Sequence, residues 1–162
     1  MIRIIICMIL AIIIVCSIYI ITKKTTFDEK QEIKNITNVI NANIGWFKDK
    51  DFDLLYSTVA KDSNFLSVHP RDKIVRGYDE FLKNSEVFKN PEFLYVRHEL
   101  KDLQITISKS KDLAWFYCIL DDINTWKDQP ANWENARRTG VLEKRNGKWV
   151  IAQQHFSFSN KN

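Results

Sequence analysis

The sequence predicts an α+β fold, in which helices from the first half of the chain pack on one face of a strongly curved, mostly antiparallel sheet from the second half. Three observations support this prediction. Apolar side chains recur every three to four residues between residues 27 and 90, as in amphipathic helices. From Leu103 onward they alternate with polar side chains, as in half-buried strands. The pair Asn146-Gly147 is typical of a two-residue hairpin turn.

Residues 1–24 differ in character from the rest of the chain. Residues 4–21 are an apolar run that only Ser17 interrupts, and basic residues stand on both sides of it. As a helix, this run would extend about 27 Å, close to the thickness of a bilayer core. We therefore expect an uncleaved N-terminal hydrophobic helix that anchors the domain of residues 25–162 in the membrane and holds it outside the cytoplasm.

Two alternatives remain for this segment. A cleaved signal peptide would release an exported or periplasmic domain, but bulky residues surround Tyr19, where signal peptidases need small ones. A lipoprotein would carry its acyl chain on Cys16, although the preceding Val15 is larger than the residue usual there. The high content of Ile, Lys and Asn is typical of an AT-rich bacterial genome.

The rest of the chain is nearly neutral. Residues 1–24 hold three of the 24 basic residues and none of the 20 acidic ones, which leaves 21 bases against 20 acids. This balance gives no electrostatic footprint for nucleic acid. Cys118 is the only cysteine after residue 24, which excludes an internal disulfide and a thiolate cluster. The three histidines lack metal-ligand spacing and no cofactor motif is present, so we predict neither metal nor cofactor.

The first two helices follow from caps and an apolar stripe. Thr26 is the predicted N-cap of the first helix, with Glu29 completing a capping box. The stripe of this helix consists of Ile33, Ile36, Ile40, Ile44 and Phe47. Asp51 caps a short second helix that presents Phe52 and Leu55 on one face.

Two short strands and a third helix come next. The strands are expected at residues 65–68 and 74–76, and Gly77 leads into a helix that ends before Pro91. Longer strands then follow in a meander. They are predicted at residues 103–107, 113–120, 136–144 and 149–158, with a polar connection at residues 124–133.

The final hairpin carries a family resemblance. Residues 137–151 read RRTGVLEKRNGKWVI, and His155-Phe156-Ser157 follows them. The stretches VRGYDE at residues 75–80 and DLAW at residues 112–115 stand in matching order. Together they resemble SnoaL-like domains of the nuclear transport factor 2-like superfamily, over about residues 27–158.

The resemblance implies a cone of three helices wrapped by a strongly bent sheet, with a pocket at the open end. Homodimers are common in the family. Its members include isomerases, cyclases, dehydratases and epoxide hydrolases, and others bind ligands or assemble complexes without catalysis. The resemblance is therefore informative about the fold and much less so about the function.

Strand parity selects the candidate pocket residues. If the last strand stays regular, Trp149, Ile151, Gln153, His155 and Ser157 share one face, with Phe156 and Phe158 on the other. If that first face is concave, Arg137, Thr139 and His155 face the pocket. Trp115, Tyr117 and Asp121 share a face of the central strand and join them. His69 is expected at a strand end near the cone mouth.

Each of these residue types suits a defined role. The imidazole of His155 suits proton transfer near neutral pH, Arg137 suits bidentate binding of a carboxylate or phosphate, and Asp121 suits a desolvated general base. The aromatic candidates for a ligand wall are Trp46, Phe47, Tyr78, Trp115, Tyr117 and Trp133. Ordinary core packing or surface hydrogen bonding explains each of them equally simply.

Three functions are compatible with this sequence. The first is a membrane-tethered or exported domain that binds a small apolar or amphipathic molecule in its cone, without turnover. The second is a pocket enzyme, namely an isomerase, dehydratase or hydrolase, that uses His155 with Arg137 or Asp121. The third is an assembly module that forms a homodimer through the sheet face, where exposed Phe156 and Phe158 would lie.

Overall fold

The α+β fold is present in the computed structural model, which describes residues 27–159. The predicted anchor at residues 4–21 and the lipidation candidate Cys16 lie outside the described residues. The elements are α1 (Glu29–Gly45), α2 (Phe52–Ser57), β1 (Leu66–Val68), β2 (Ile74–Arg76), α3 (Gly77–Ser85), β3 (Phe93–Ile107), β4 (Leu113–Trp126), β5 (Gln129–Pro130), β6 (Trp133–Arg145) and β7 (Lys148–Ser157). Short 3-10 turns follow α1 at Trp46–Lys48 and α3 at Glu86–Lys89. Within residues 27–159, no helix is both long and apolar enough to cross a membrane.

The strands form one curled sheet in the order β2-β1-β7-β6-β4-β3, and β5 pairs with the end of β4. Among the described strands, only β1 and β7 run parallel, and every other neighbouring pair is antiparallel. Bulges interrupt the pairing of β3 with β4, of β4 with β6 and of β6 with β7. Because each bulge bends its strand and increases the twist, the sheet wraps around the helices.

The first two helices are capped by aspartates. The Asp28 carboxylate accepts a hydrogen bond from the backbone N–H of Gln31 at 3.1 Å, so Asp28 is the N-cap of α1 and the predicted cap at Thr26 is wrong. Aspartate is as good a cap as threonine, and here it stands one turn before Gln31. Asp51 caps α2 as predicted, because its carboxylate accepts from the N–H of Leu54 at 2.8 Å.

The core lies between α1 and the concave face of the sheet. Ile36 and Ile40 of α1 are fully buried against residues of β4, β6 and β7. Their partners on the sheet are Ala114, Phe116, Cys118, Leu142 and Ile151. A second apolar cluster, around Trp46, Phe47 and Leu55, extends from the end of α1 toward α2 and the beginning of β3.

Two sheet predictions have different outcomes. Asn146 and Gly147 have φ angles of 50° and 79°, which confirms the hairpin turn with two left-handed residues. The first long strand, however, begins at Phe93 and not at residue 103. The bulges near Val96 and Asp102 break the alternation of polar and apolar residues, so the pattern indicated only the last third of β3.

Candidate functional site

A cavity of about 360 Å³, which we call the aromatic cavity, opens between the helices and one end of the sheet. This end of the sheet is formed by the beginnings of β3 and β6 and the ends of β4 and β7. The apolar wall of the cavity includes Trp46, Phe47, Phe88, Phe93, Trp133 and Phe156. They come from two 3-10 turns and three strand ends, so the cavity forms only when the sheet curls over the end of α1. Such a volume and lining suit a small, mostly apolar molecule.

The aromatic rings of this wall are in contact with one another, and several pairs pack edge to face. The Phe47 ring lies 4.9 Å from that of Phe93 and 5.4 Å from that of Phe88, measured between centroids. Trp46 meets Phe88 edge-on at 5.6 Å. Since each ring is held by two or more others, the wall is largely pre-formed, and a ligand would not have to order it on binding.

His69 is a polar group of the cavity, just after β1. Its ring stacks on Phe156 with centroids 5.3 Å apart and meets Trp133 at 6.0 Å. Its Nε2 lies 2.9 Å from the Ser67 hydroxyl oxygen. Burial, assisted by the nearby charge of Lys73, lowers the pKa of His69 to about 4, so the imidazole is neutral at pH 7.

Asp122 and Asn124 add a carboxyl and an amide from the end of β4. Burial raises the pKa of the Asp122 carboxyl, although the hydrogen bond from Asn124 at 2.9 Å and the charge of Arg138 act in the opposite direction. The side-chain oxygen of Asn124 is buried without a hydrogen-bond partner among residues 27–159. This oxygen is therefore available to a donor on a bound molecule.

Arg138 supports the polar end of the cavity from behind. It is fully buried, and its guanidinium donates to the Asn43 and Gln154 side-chain oxygens at 2.6 and 2.9 Å and to the Ile40 carbonyl at 3.1 Å. None of the ion pairs among residues 27–159 includes it. Burial lowers the pKa of Arg138 to about 10, which still leaves it charged at neutral pH.

The predicted site residues divide between two faces of the sheet. Trp46 and His69 line the aromatic cavity, and Tyr78 lies behind Phe81 without lining it. The other five lie on the outer, convex face, in adjacent rows of β4, β6 and β7. They are Trp115, Tyr117, Arg137, Thr139 and His155.

A bulge at Ala152 explains the error in the face assignment. Gln153 pairs with Val141 and Ile151 pairs with Leu142, so Ala152 has no partner in the register. Side chains after it change faces, which places His155 outside and Phe156 inside. Phe156 is 4% exposed, so the expectation of an exposed Phe156 is wrong.

Asp121 also lies away from the cavity. Its carboxylate accepts from Lys101 Nζ at 2.9 Å and from the backbone N–H of Asn135 at 2.8 Å, and these contacts lower its pKa. Asp122 has the parity of Leu120 and Asn124 on β4, so it lines the cavity with them, whereas Asp121 lies on the other face of the strand. The structure therefore does not bring Asp121, Arg137 and His155 to a common cavity.

Sequence reasoning missed the residues that form the polar end. Asp122, Arg138 and Gln154 each stand next to a selected residue, and Asn124 lies in the stretch that was predicted to be a polar connection. One usable signal was the pair Arg137-Arg138, because one member of such a pair must face inward on a half-buried strand. Within the described part of the chain, no group of three metal-ligating side chains comes together.

Comparison with known proteins supports the fold. A family model described as the SnoaL-like domain matches residues 36–161. A structure from Streptomyces avermitilis, assigned to the NTF2-like family, aligns with a TM-score of 0.69 at 17% identity, covering 82% of this chain and 99% of that one. No curated protein matches the sequence.

Two further structures are similar to this chain and differ in description. A ketosteroid isomerase-like protein from Erwinia carotovora atroseptica aligns with a TM-score of 0.59 at 22% identity, covering 81% of this chain and 97% of that one. The association domain of CaMKII from C. elegans aligns with a TM-score of 0.61 at 14% identity, covering 80% and 98%. At these identities the likeness concerns the fold alone.

Proposed function

Because the chain belongs to the SnoaL-like domain family, we propose that it binds a small, largely apolar molecule in the aromatic cavity. The observation that carries this proposal is the cavity itself, an apolar space of about 360 Å³ with a few polar groups converging from several elements. Plain core packing would have filled this space with side chains. Binding without turnover needs only this shape and polarity, and it requires no catalytic group.

A blocking substitution tests the proposal. Ala131 lines the cavity from the loop before β6, so Ala131→Trp should fill part of the space. Gln129→Trp, on the exposed β5, is the matched control. We expect naphthalene derivatives to quench the tryptophan fluorescence of the full-length chain, because Trp46 and Trp133 line the cavity. We expect the affinity measured from this quenching to be at least tenfold lower for Ala131→Trp than for Gln129→Trp. Equal quenching in both variants would contradict the proposal.

A second candidate function is proton transfer on the bound molecule. The cavity holds a carboxyl whose pKa is raised, that of Asp122, and a neutral imidazole, that of His69. Two titratable groups whose pKa values are displaced in one cavity are the usual basis of acid–base catalysis. In this scheme the Asp122 carboxylate removes a proton from the carbon next to a carbonyl group of the ligand. The sequence analysis assigned this kind of role to His155 with Arg137 or Asp121.

Hydrogen exchange distinguishes this enzyme from a binding protein. In D₂O, catalysis would replace the methyl hydrogens of 2-acetylnaphthalene by deuterium, which NMR detects directly. We expect Asp122→Asn to abolish the exchange and Asp128→Asn, in the exposed loop, to leave it unchanged. If the wild-type chain binds the ketone without accelerating exchange, binding without turnover stands and the enzyme is rejected.

Assembly through the outer sheet face is the third function, and one observation favours it. Trp115 is 51% exposed on the convex face near the beginning of β4, and Tyr117 and Ile119 follow on the same face of that strand. Exposed tryptophans are enriched in protein interfaces. We expect a homodimer in sedimentation, converted to a monomer by Trp115→Lys and not by Leu54→Lys on the helical side. A wild-type monomer at high micromolar concentration would reject this function.

A further inference from the structure

We propose that a directional chain of hydrogen bonds, which begins at the buried guanidinium of Arg138, holds His69 as the Nδ1–H tautomer, so that the aromatic cavity prefers ligands with a carbonyl oxygen. This inference rests on the proposed binding function and adds the class of ligand. Its three links run from Arg138 through Gln154 and Ser67 to His69.

The first link fixes the orientation of an amide. A guanidinium has only donors, so the Gln154 group that lies 2.9 Å from Arg138 must be its oxygen. The nitrogen of this amide then faces the other way, where it donates to the Ser67 hydroxyl oxygen at 3.1 Å. Arg138 and Gln154 are both buried, so water does not offer either group an alternative partner.

The second link fixes the proton of a hydroxyl. Ser67 is fully buried, and its oxygen already accepts from Gln154. The hydroxyl proton needs an acceptor, and among residues 27–159 the side-chain hydroxyl has one further hydrogen-bond partner, His69 Nε2 at 2.9 Å. Nε2 is therefore the acceptor and carries no proton, because an Nε2–H would leave the hydroxyl proton of Ser67 unpaired in the interior.

The third link follows from the neutrality of the ring. An imidazole that is neutral and unprotonated at Nε2 must carry its proton at Nδ1. Within the described part of the chain, Nδ1 has no hydrogen-bond partner, and the ring borders the aromatic cavity while Phe156 holds its plane. His69 also borders a second, more open hollow next to Arg71 and Asp72, and in this proposal its N–H serves the aromatic cavity as an oriented donor. A carbonyl oxygen satisfies this donor, whereas a hydrocarbon leaves it unpaired.

The tautomer is tested first, by ¹⁵N NMR of the histidine rings in the full-length chain at pH 7. We expect His69 to show a protonated Nδ1 and an unprotonated Nε2. Gln154→Glu should reverse the chain, since a carboxylate beside Arg138 has no N–H to give, and Ser67 would donate to it and accept from Nε2–H. Gln153→Glu, the neighbour on the outer face, should keep the wild-type pattern.

Ser67→Ala is a second variant for the same test, which is needed if the Gln154→Glu chain does not fold. Without the hydroxyl, nothing holds Nε2 unprotonated, and we expect the Nε2–H form to become populated. An Nε2–H or doubly protonated His69 in the wild-type chain overturns the inference. So does an Nδ1–H ring that is equally populated in the wild type, Gln154→Glu and Ser67→Ala.

The ligand class is tested with two probes of nearly the same shape, 2-acetylnaphthalene and 2-ethylnaphthalene. We expect the wild-type chain and Gln153→Glu to bind the ketone about tenfold more tightly, as one buried hydrogen bond allows. Gln154→Glu and His69→Phe, which keeps the aromatic stacking, should lose this preference. Equal affinity of the two probes for the wild type overturns the inference. Failure of both probes to bind contradicts the proposed binding function instead, and the tautomer then decides the hydrogen-bond chain by itself.

Discussion

Among the single residues, Arg138 carries a positive charge in the interior, and no carboxylate of residues 27–159 forms an ion pair with it. Its guanidinium is compensated by three oxygens, from Ile40, Asn43 and Gln154, and by the ring faces of Phe116 and Phe156 at 5.3 and 5.2 Å. Amide oxygens and aromatic faces each supply partial negative charge, and together they make burial of this charge tolerable.

Removal of Arg138 should therefore be costly. We expect Arg138→Met to lower the free energy of unfolding by about 3–5 kcal/mol, because it leaves several buried acceptors without donors. Arg137→Met is the matched control on the same strand, since Arg137 is exposed and, among residues 27–159, its side chain donates only to the Phe158 carbonyl. Urea unfolding of the two variants provides the measurement, and similar midpoints would show that the buried network is not important for stability.

His69 makes stability depend on pH. Its pKa is about 4 in the folded chain against the ordinary value of 6.5, so between these values the unfolded chain binds more protons than the folded one. The free energy of unfolding is then fully retained above pH 6.5 and decreases as the pH falls toward 4. We expect His69→Phe to flatten this decrease in chemical unfolding curves measured across that range. An unchanged slope would mean that His69 titrates normally.

Single residues also show what the sequence could and could not indicate. The sequence indicated that one arginine of the pair Arg137-Arg138 must face inward, but alternation alone could not say which of the two it is. The same holds for Asp121 and Asp122, because alternation places them on opposite faces of β4 without saying which face is concave. Trp46 and His69, by contrast, stand at element ends close to the cavity, and no bulge intervenes there.

At the scale of elements, the β6–β7 hairpin contains two glycines with different reasons to be glycine. A Cβ at Gly140 would lie 2.5 Å from the Phe116 ring and 2.6 Å from the Gln153 carbonyl oxygen. A Cβ at Gly147 would meet nothing within 4 Å, but its φ of 79° is unfavourable for other residues. Close packing therefore constrains the first position, and backbone conformation constrains the second.

These two reasons predict different costs. We expect Gly140→Ala to destabilise the chain by about 3 kcal/mol through overpacking. Gly147→Ala should cost only about 1 kcal/mol, the strain of a left-handed alanine. Thermal unfolding of the two variants gives the comparison, and the reverse order would show that the sheet yields easily at Gly140.

The elements themselves were predictable to the extent that their patterns stayed regular. The helices, the hairpin turn and the antiparallel meander of the long strands follow from spacing, from the cap at Asp51 and from Asn146-Gly147. The bulges do not, because they depend on how the sheet must bend to close over α1, which is a property of the assembled layers. This is why the fold was predicted correctly while five of the candidate site residues were assigned to the wrong side of the sheet.

At the scale of the whole molecule, the two faces of the sheet are available for different tasks. The concave face encloses the aromatic cavity and the convex face carries Trp115 and its neighbours. Binding of a ligand and formation of a dimer are therefore compatible in one chain. A membrane anchor at residues 4–21, which we propose from the apolar run, would add a third attachment without using either face.

The anchor has its own test. We expect the full-length chain to remain in the membrane fraction of expressing cells after an alkaline carbonate wash. Ile12→Arg, in the middle of the run, should release a large part of it, because a central arginine raises the insertion free energy by about 2.5–3.5 kcal/mol. Val96→Arg, at an exposed position of β3, is the control and should not release it. Complete extraction of the wild type would contradict the anchor.

The buried Cys118 thiol is an internal probe of how often this domain opens. It is the one thiol after residue 24, it is fully buried under α1, and burial raises its pKa. An alkylating reagent can reach it only when α1 leaves the sheet, so its rate of modification reports excursions of the native state and not fraying at the surface. A molecule that closes the gap between helices and sheet should slow that rate in proportion to its occupancy, whether or not it changes any spectrum.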